Sequence, residues 1–124
     1  MRVVAVPLVA KDAETRRASA RVVWADPKPF GDGLVHCGGQ LSFGPDGALY
    51  FGIGDHGHKP KRAQRNEFTS GKLIRVYANG TFPEDNFGVQ ADGHGGRVHD
   101  GILALGLRNP YGSTWDLKGM YINE

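Results

Sequence analysis

The sequence has one cysteine, Cys37, so no internal disulfide can form and the redox compartment is not revealed. It has no apolar run near the roughly 18 residues that a membrane-spanning helix needs. The opening stretch Met1–Ala10 carries a faint likeness to a signal peptide. Its apolar part is short and broken by Pro7, and it reads as a strand. Net charge is scarce too: the formal +2 is too small to argue for nucleic acid or an acidic membrane surface as partner. Sustained helical periodicity is missing, which makes the expected class all-β. At 124 residues the chain fits one domain at most. Glycine is what the sequence has in excess. Its 19 residues are about double the usual usage, show no collagen-like period and point to many tight turns.

The turns and strands centre on the stretch from His36 to Asp55. Gln40–Phe43 is a strand with Leu41 and Phe43 on one face. Gly44-Pro45-Asp46-Gly47 is a turn, in which proline presets φ and glycine accepts a positive φ. Ala48–Ile53 is a second strand, rich in aromatic and β-branched residues. An antiparallel hairpin brings its open ends together, so His36 before the first strand and Asp55 after the second can meet in space. Upstream, Arg2–Val9 is a candidate edge strand, Lys11–Ser19 a solvated loop and Ala20–Trp24 another strand. Pro27, Pro29, Gly31 and Gly33 then carry the chain across. Downstream, a basic loop from His56 to Ser70 leads to a strand at Lys72–Tyr77 and a tight turn at Asn79-Gly80. Phe82–Asp100 is a long connection and Ile102–Leu107 a strand. A last hairpin joins Ser113–Trp115 to Met120–Ile122 around Asp116–Gly119.

An offset of 72 residues lays the last hairpin on the central one: Phe43 falls on Trp115, Gly47 on Gly119 and Leu49 on Tyr121. His36 then falls on Arg108. If the copies are units of a radial array, these two side chains come from equivalent positions at the mouth of neighbouring inner strands. The competing reading is two unrelated hairpins.

The run His36-x-Gly38-Gly39-Gln40-Leu41-x-Phe43-Gly44-Pro45-Asp46-Gly47-x-Leu49-Tyr50, followed by Gly54-Asp55, resembles the glucose/sorbosone dehydrogenase family. That family includes soluble quinoprotein glucose dehydrogenases, aldose sugar dehydrogenases and hedgehog-interacting proteins. Gly71-Lys72-Leu73-Ile74-Arg75-Val76, Gly80-x-x-Pro83-x-Asp85-Asn86 and Ala104-Leu105-Gly106-x-Arg108-Asn109-Pro110 follow in the family's order. These motifs cover about residues 30 to 124, within a partial domain over 1–124. The resemblance implies about two blades of a six-bladed β-propeller, and a fragment whose remaining blades complete it. It also implies pyrroloquinoline quinone (PQQ) as cofactor, and calcium held by backbone carbonyls beyond residue 124. The implied setting is extracellular or periplasmic.

By the same resemblance, His36 is the general base that takes a proton from a sugar hydroxyl, a task suited to an imidazole. Asp55 orients the ring and stabilises its charged form. Arg108 stabilises negative charge developing on quinone oxygens, and Asn109 hydrogen-bonds the cofactor. Read without the family, His36 is a structural histidine, Asp55 a turn residue and Arg108-Asn109-Pro110 an anchored turn. Two positions depart from the catalytic pattern: Cys37 where asparagine is frequent, and Leu107 where histidine is frequent. Both are tolerable in a catalytically silent propeller that binds a protein ligand, the alternative reading.

The remaining patterns point to less. Gly52-x-Gly54-x-x-Gly57 fits a dinucleotide loop only formally, since Pro60 and the polar stretch after it offer no helix to receive a phosphate. His56, His58, His94 and His99 lack a metal-ligand spacing, so no metal ligand is assigned within the chain. Lys59, Lys61, Arg62 and Arg65 lack interleaved aromatics and read as a solvated loop. Asn79-Gly80-Thr81 is a glycosylation sequon, relevant if a eukaryote secretes the chain.

Overall fold

The computed structural model describes residues 1–8, 12–27, 35–57, 60–91 and 99–124. Its strands are β1 (Arg2–Ala5), β2 (Arg21–Ala25), β3 (Gly38–Phe43), β4 (Ala48–Ile53), β5 (Lys72–Tyr77), β6 (Ile102–Leu105), β7 (Gly112–Asp116) and β8 (Gly119–Asn123). Two short helices, α1 (Ala13–Ala18) and α2 (Phe87–Ala91), and a 3-10 turn at Pro60–Gln64 lie between them. The strands form a four-stranded antiparallel sheet in the order β3-β4-β5-β6, and two ribbons, β1-β2 and β7-β8.

The two central strands of the four-stranded sheet, β4 and β5, are covered on both faces, and β4 shows why. All six of its residues are buried. Side chains on a strand alternate between faces, so Leu49, Phe51 and Ile53 fall on one side. There they pack with Val3, Val23 and Trp24 of the first ribbon and with Ile74, Val76 and Ile102. Ala48 and Tyr50 point the other way, joining Leu73 in a cluster that Trp115, Met120 and Ile122 of the last ribbon cover. A strand buried on both faces reads as a continuous apolar run, as Ala-Leu-Tyr-Phe-Gly-Ile does. Phe51 meets Trp24 edge-on with ring centroids 5.1 Å apart.

Polar groups lock this sheet at two places. In the β3–β4 turn, Gly47 takes φ +75° and Asp46 accepts the Ala48 amide at 3.2 Å. Asp46 also accepts the Tyr50 hydroxyl at 3.0 Å and the Arg75 Nε at 2.9 Å. Arg75, itself only 10% exposed at its side chain, reaches Asp85 at 2.7 Å as well. Burial and the Asp46 carboxylate push the Tyr50 phenol up to about 12, so it stays a donor. At the other end of the sheet, the fully buried Lys72 donates to the carbonyls of Arg62, Ala63 and Ser70 at 3.0, 2.8 and 2.9 Å. Burial pushes this ammonium down to about 8. At neutral pH it retains three protons, each with an acceptor.

The all-β class holds, and β4 and β5 have the expected bounds. Four expectations are corrected. The first strand ends at Ala5, before Pro7. The segment expected as a solvated loop over Lys11–Ser19 contains α1, started by Asp12, whose carboxylate accepts the Thr15 amide at 2.7 Å. The strand expected over Ile102–Leu107 stops at Leu105, because Gly106 turns to φ +90° and donates its amide to Ala63. Leu41 and Phe43 do share one face of β3, opposite Phe51 and Leu49, and remain 47% and 63% exposed. The long connection after Phe82 contains α2. The crossing segment with Pro29, Gly31 and Gly33 lies outside the described residues.

Removing one partner of a buried ion pair strands the other charge, at a cost of about 3 kcal/mol or more. Arg75→Ala therefore destabilises the chain by about 3 kcal/mol, whereas Asp85→Ala, at a carboxylate 71% exposed, costs about 1 kcal/mol or less. Urea unfolding of the two variants checks the difference, and equal losses would place the weight of the network on Asp85.

Candidate active site

The candidate site is built by backbone conformations that few residues tolerate. His36 is held at φ +55°, a left-handed geometry that costs a non-glycine residue about 1–2 kcal/mol. Gly38 and Gly39 follow at +66° and +111°, and the β3–β4 register shifts between Gly38 and Leu41. A bulge at a strand's end re-aims the neighbouring side chain, and here it turns the imidazole toward the end of β4. The β4 end is stripped of side chains to receive it. A Cβ on Gly54 would collide with the His36 carbonyl oxygen and lie 3.1 Å from that of Arg108. A Cβ on Gly52 would lie 2.5 Å from the Pro110 ring.

These contacts bring three of the four expected site residues into one assembly. His36 Nδ1 lies 2.8 Å from Asp55 Oδ1. The same carboxylate oxygen accepts the Gly57 amide at 2.8 Å, and the Asp55 amide donates to the Arg108 carbonyl at 2.8 Å. Burial alone would raise the Asp55 carboxyl. The Gly57 amide, the His36 ring and the Arg108 charge outweigh it and hold the carboxyl below its ordinary range. An ionised carboxylate only accepts, so Nδ1 is the donor in this contact and Nε2 is the ring nitrogen that Asp55 does not engage. The His36 side chain is 20% exposed and Asp55 6%, leaving the ring accessible above a buried partner.

Arg108 is exposed and Asn109 half-buried, ahead of the buried Pro110. Among the described residues the Arg108 guanidinium makes no hydrogen bond or salt bridge, while its charge acts on Asp55. A guanidinium and an amide suit an anionic, carboxylated quinone such as PQQ, and in that respect the donor set fits it. Cys37 is exposed, while Leu107 packs against the cluster around Tyr50 and Leu73.

The other candidates stand apart. His99 sits among Trp24 and Phe82 and accepts the Gly101 amide at 3.0 Å through Nδ1. Burial lowers the pKa of both His56 and His99. His58, His94 and Lys59 lie outside the described residues. No group of three or more His, Cys, Asp or Glu among the described residues could hold a metal ion. Arg62 and Arg65 stack on Phe68 at 4.4 and 5.0 Å, and Arg65 pairs with Glu67. Phe68 is thus an aromatic partner that the reading of a plain solvated loop had not counted. Asn79 is exposed, and its side chain accepts from the Thr81 amide at 3.0 Å. No helix among the described residues is long and apolar enough to cross a membrane.

Two features take their meaning from contacts distant in sequence. The Gly52-x-Gly54 spacing, formally a dinucleotide motif, is a close-packing device. Glu124 Oε2 accepts the Arg108 amide at 2.8 Å, a contact across 16 residues that no local pattern announces.

The family model for Glucose / Sorbosone dehydrogenase matches residues 2–124, so the likeness begins well before residue 30. The chain is 32% identical over 92 residues to aldose sugar dehydrogenase YliI of Escherichia coli, covering 72% of this chain and 23% of that protein. It is 31% identical over 127 residues to the HIPL1 protein of Arabidopsis thaliana, covering 86% and 16%. The structure of the PQQ-bound form of aldose sugar dehydrogenase from Streptomyces coelicolor superposes with a TM-score of 0.62 at 28% identity, over 83% of this chain and 27% of that one. The chain thus spans under a quarter of these two curated relatives. Its fold is about two blades of a six-bladed β-propeller. Within it, one four-stranded antiparallel sheet lies between two-stranded ribbons in chain order.

Two outcomes follow from this geometry. Gly54→Ala forces the His36 and Arg108 backbones apart and costs about 3 kcal/mol, read as a lowered urea midpoint. A stability equal to wild type would refute the close packing. For Asp55, the depressed carboxyl contributes stability above the ordinary carboxylate range near about 4 and loses it as pH falls through the folded value. The stability gap between wild type and Asp55→Asn is therefore widest near neutral pH and closes in acid. A gap that widens on acidification would contradict it.

Proposed function

The chain belongs to the glucose/sorbosone dehydrogenase family, and on that premise we propose that it is the His36-bearing part of a PQQ-dependent aldose or polyol dehydrogenase. The supporting observation is the hydrogen-bonded chain from His36 Nδ1 through Asp55 to the Arg108 carbonyl. His36 Nε2 takes the proton of the sugar hydroxyl. Asp55 keeps the ring in the tautomer that leaves Nε2 free and stabilises the imidazolium once it forms. Arg108 and Asn109 hold the cofactor through charge and hydrogen bonds. PQQ, when bound, supplies the acceptor for the hydride equivalent leaving the sugar carbon. Calcium belongs to the same reading, with ligands beyond residue 124, as do the remaining blades and an extracellular or periplasmic setting.

A second reading draws on Cys37 and Leu107. The apolar packing of Leu107 fills with hydrocarbon a position where catalytic members often carry histidine. On this reading the parent is a catalytically silent extracellular propeller that binds a protein ligand, in the manner of the hedgehog-interacting branch.

Dye reduction by the full-length protein reconstituted with PQQ separates the two. On the enzyme reading an aldose or polyol supports turnover, and His36→Ala lowers kcat by about 10²-fold or more. A reconstituted protein that neither binds PQQ nor reduces dye with any sugar sinks this reading and favours the binder.

A further inference from the structure

We infer that Glu124 is a positioning residue for Arg108: its carboxylate clamps the peptide from which the guanidinium extends toward the cofactor. This inference rests on the dehydrogenase reading for its consequence and on the geometry for its cause. Arg108 lies in the connection between β6 and β7, where no strand partner holds it. Its amide donates to Glu124 Oε2 at 2.8 Å, and its carbonyl accepts from the Asp55 amide at 2.8 Å. The residue is thus held from both sides, by β8's end and by the residue that also holds His36.

A hydrogen bond to an ionised carboxylate is shorter and about twice as strong as a neutral one. Glu124 spends it on the backbone amide of Arg108 and not on the guanidinium. A carboxylate bound to the guanidinium itself would compete with an anionic ligand, whereas one bound to the amide fixes the origin of the side chain and keeps its charge available. The neighbouring contacts agree with a fixed loop: the Tyr111 amide meets the Asn123 carbonyl at 3.4 Å, and Pro110 rests on Gly52. Small displacements of a positioning group are costly, because the favourable geometry is narrow.

The test compares Glu124→Ala with Glu124→Gln in the full-length protein. Glutamine retains an acceptor oxygen for the Arg108 amide. Titration of apo-protein with PQQ shows affinity lower by about tenfold in the alanine variant and restored to within about threefold by glutamine, as expected for a charge-assisted bond replaced by a neutral one. The Michaelis constant for the sugar stays unchanged, and the Arg108 amide proton moves upfield in the alanine variant as its carboxylate partner is lost. Wild-type affinity in the alanine variant, or equal losses in both variants, overturns the inference. If the wild-type protein binds no PQQ, the dehydrogenase reading fails, and the amide resonance still decides the clamp: a shift supports it and an unmoved signal refutes it.

Discussion

The close approach of backbones at the end of β4 is the constraint on which the candidate site depends. Two chain segments, His36–Gly38 and Arg108–Pro110, pack onto Gly52 and Gly54 with no room for a Cβ. Asp55 follows directly, so its carboxylate faces one segment and its amide the other. The histidine and the arginine are joined through a single residue's side chain and main chain. Main-chain hydrogen bonds do not lose side-chain entropy on forming, which suits them to fixing the distance between these two segments.

That arrangement needs a rigid base, and the two-sided packing of β4 supplies it. Burying Phe51 or Ile74 completely stabilises the chain by about 1.5–3 kcal/mol each. The left-handed strain at His36, about 1–2 kcal/mol, is small beside the sum of such burials. The Asp46–Arg75–Asp85 network pins the opposite end of the sheet, so strain at one end is not relieved by slippage at the other.

The sequence disclosed those parts whose cause is local. β4 and β5 were legible because apolar, β-branched runs ended by turn residues have one simple outcome. The meeting of His36 and Asp55 was legible because a hairpin joins its ends. α1 was not: all six of its residues are exposed, so it has no apolar stripe to create a period, and only the Asp12 cap marks it. The end of β6 was hidden because Gly106 leaves the ladder for a carbonyl 43 positions earlier in the chain. The role of Gly52 and Gly54 depends on segments far away in sequence, and a glycine pattern alone cannot say whether it admits a phosphate or another backbone.

The two departures from the catalytic pattern differ in physical weight. Cys37 is exposed, and its carbonyl, not its side chain, meets the Gly54 amide at 3.4 Å; an asparagine or a cysteine satisfies that bond equally. Leu107 is tied into the apolar cluster under Trp115 and Met120, and its amide donates to the Gly71 carbonyl at 3.1 Å. A histidine there would bring a polar ring to a half-buried apolar surface and would need its own partner. Position 107 is next to Arg108 in the chain, yet its amide bonds Gly71 while the Arg108 carbonyl accepts from Asp55, so the side chain at 107 and the His36–Asp55–Arg108 connection use separate hydrogen bonds. The change at 107 leaves the hydrogen bonds of His36, Asp55 and Arg108 in place, and on that ground the proposed dehydrogenase reading is put ahead of the silent one.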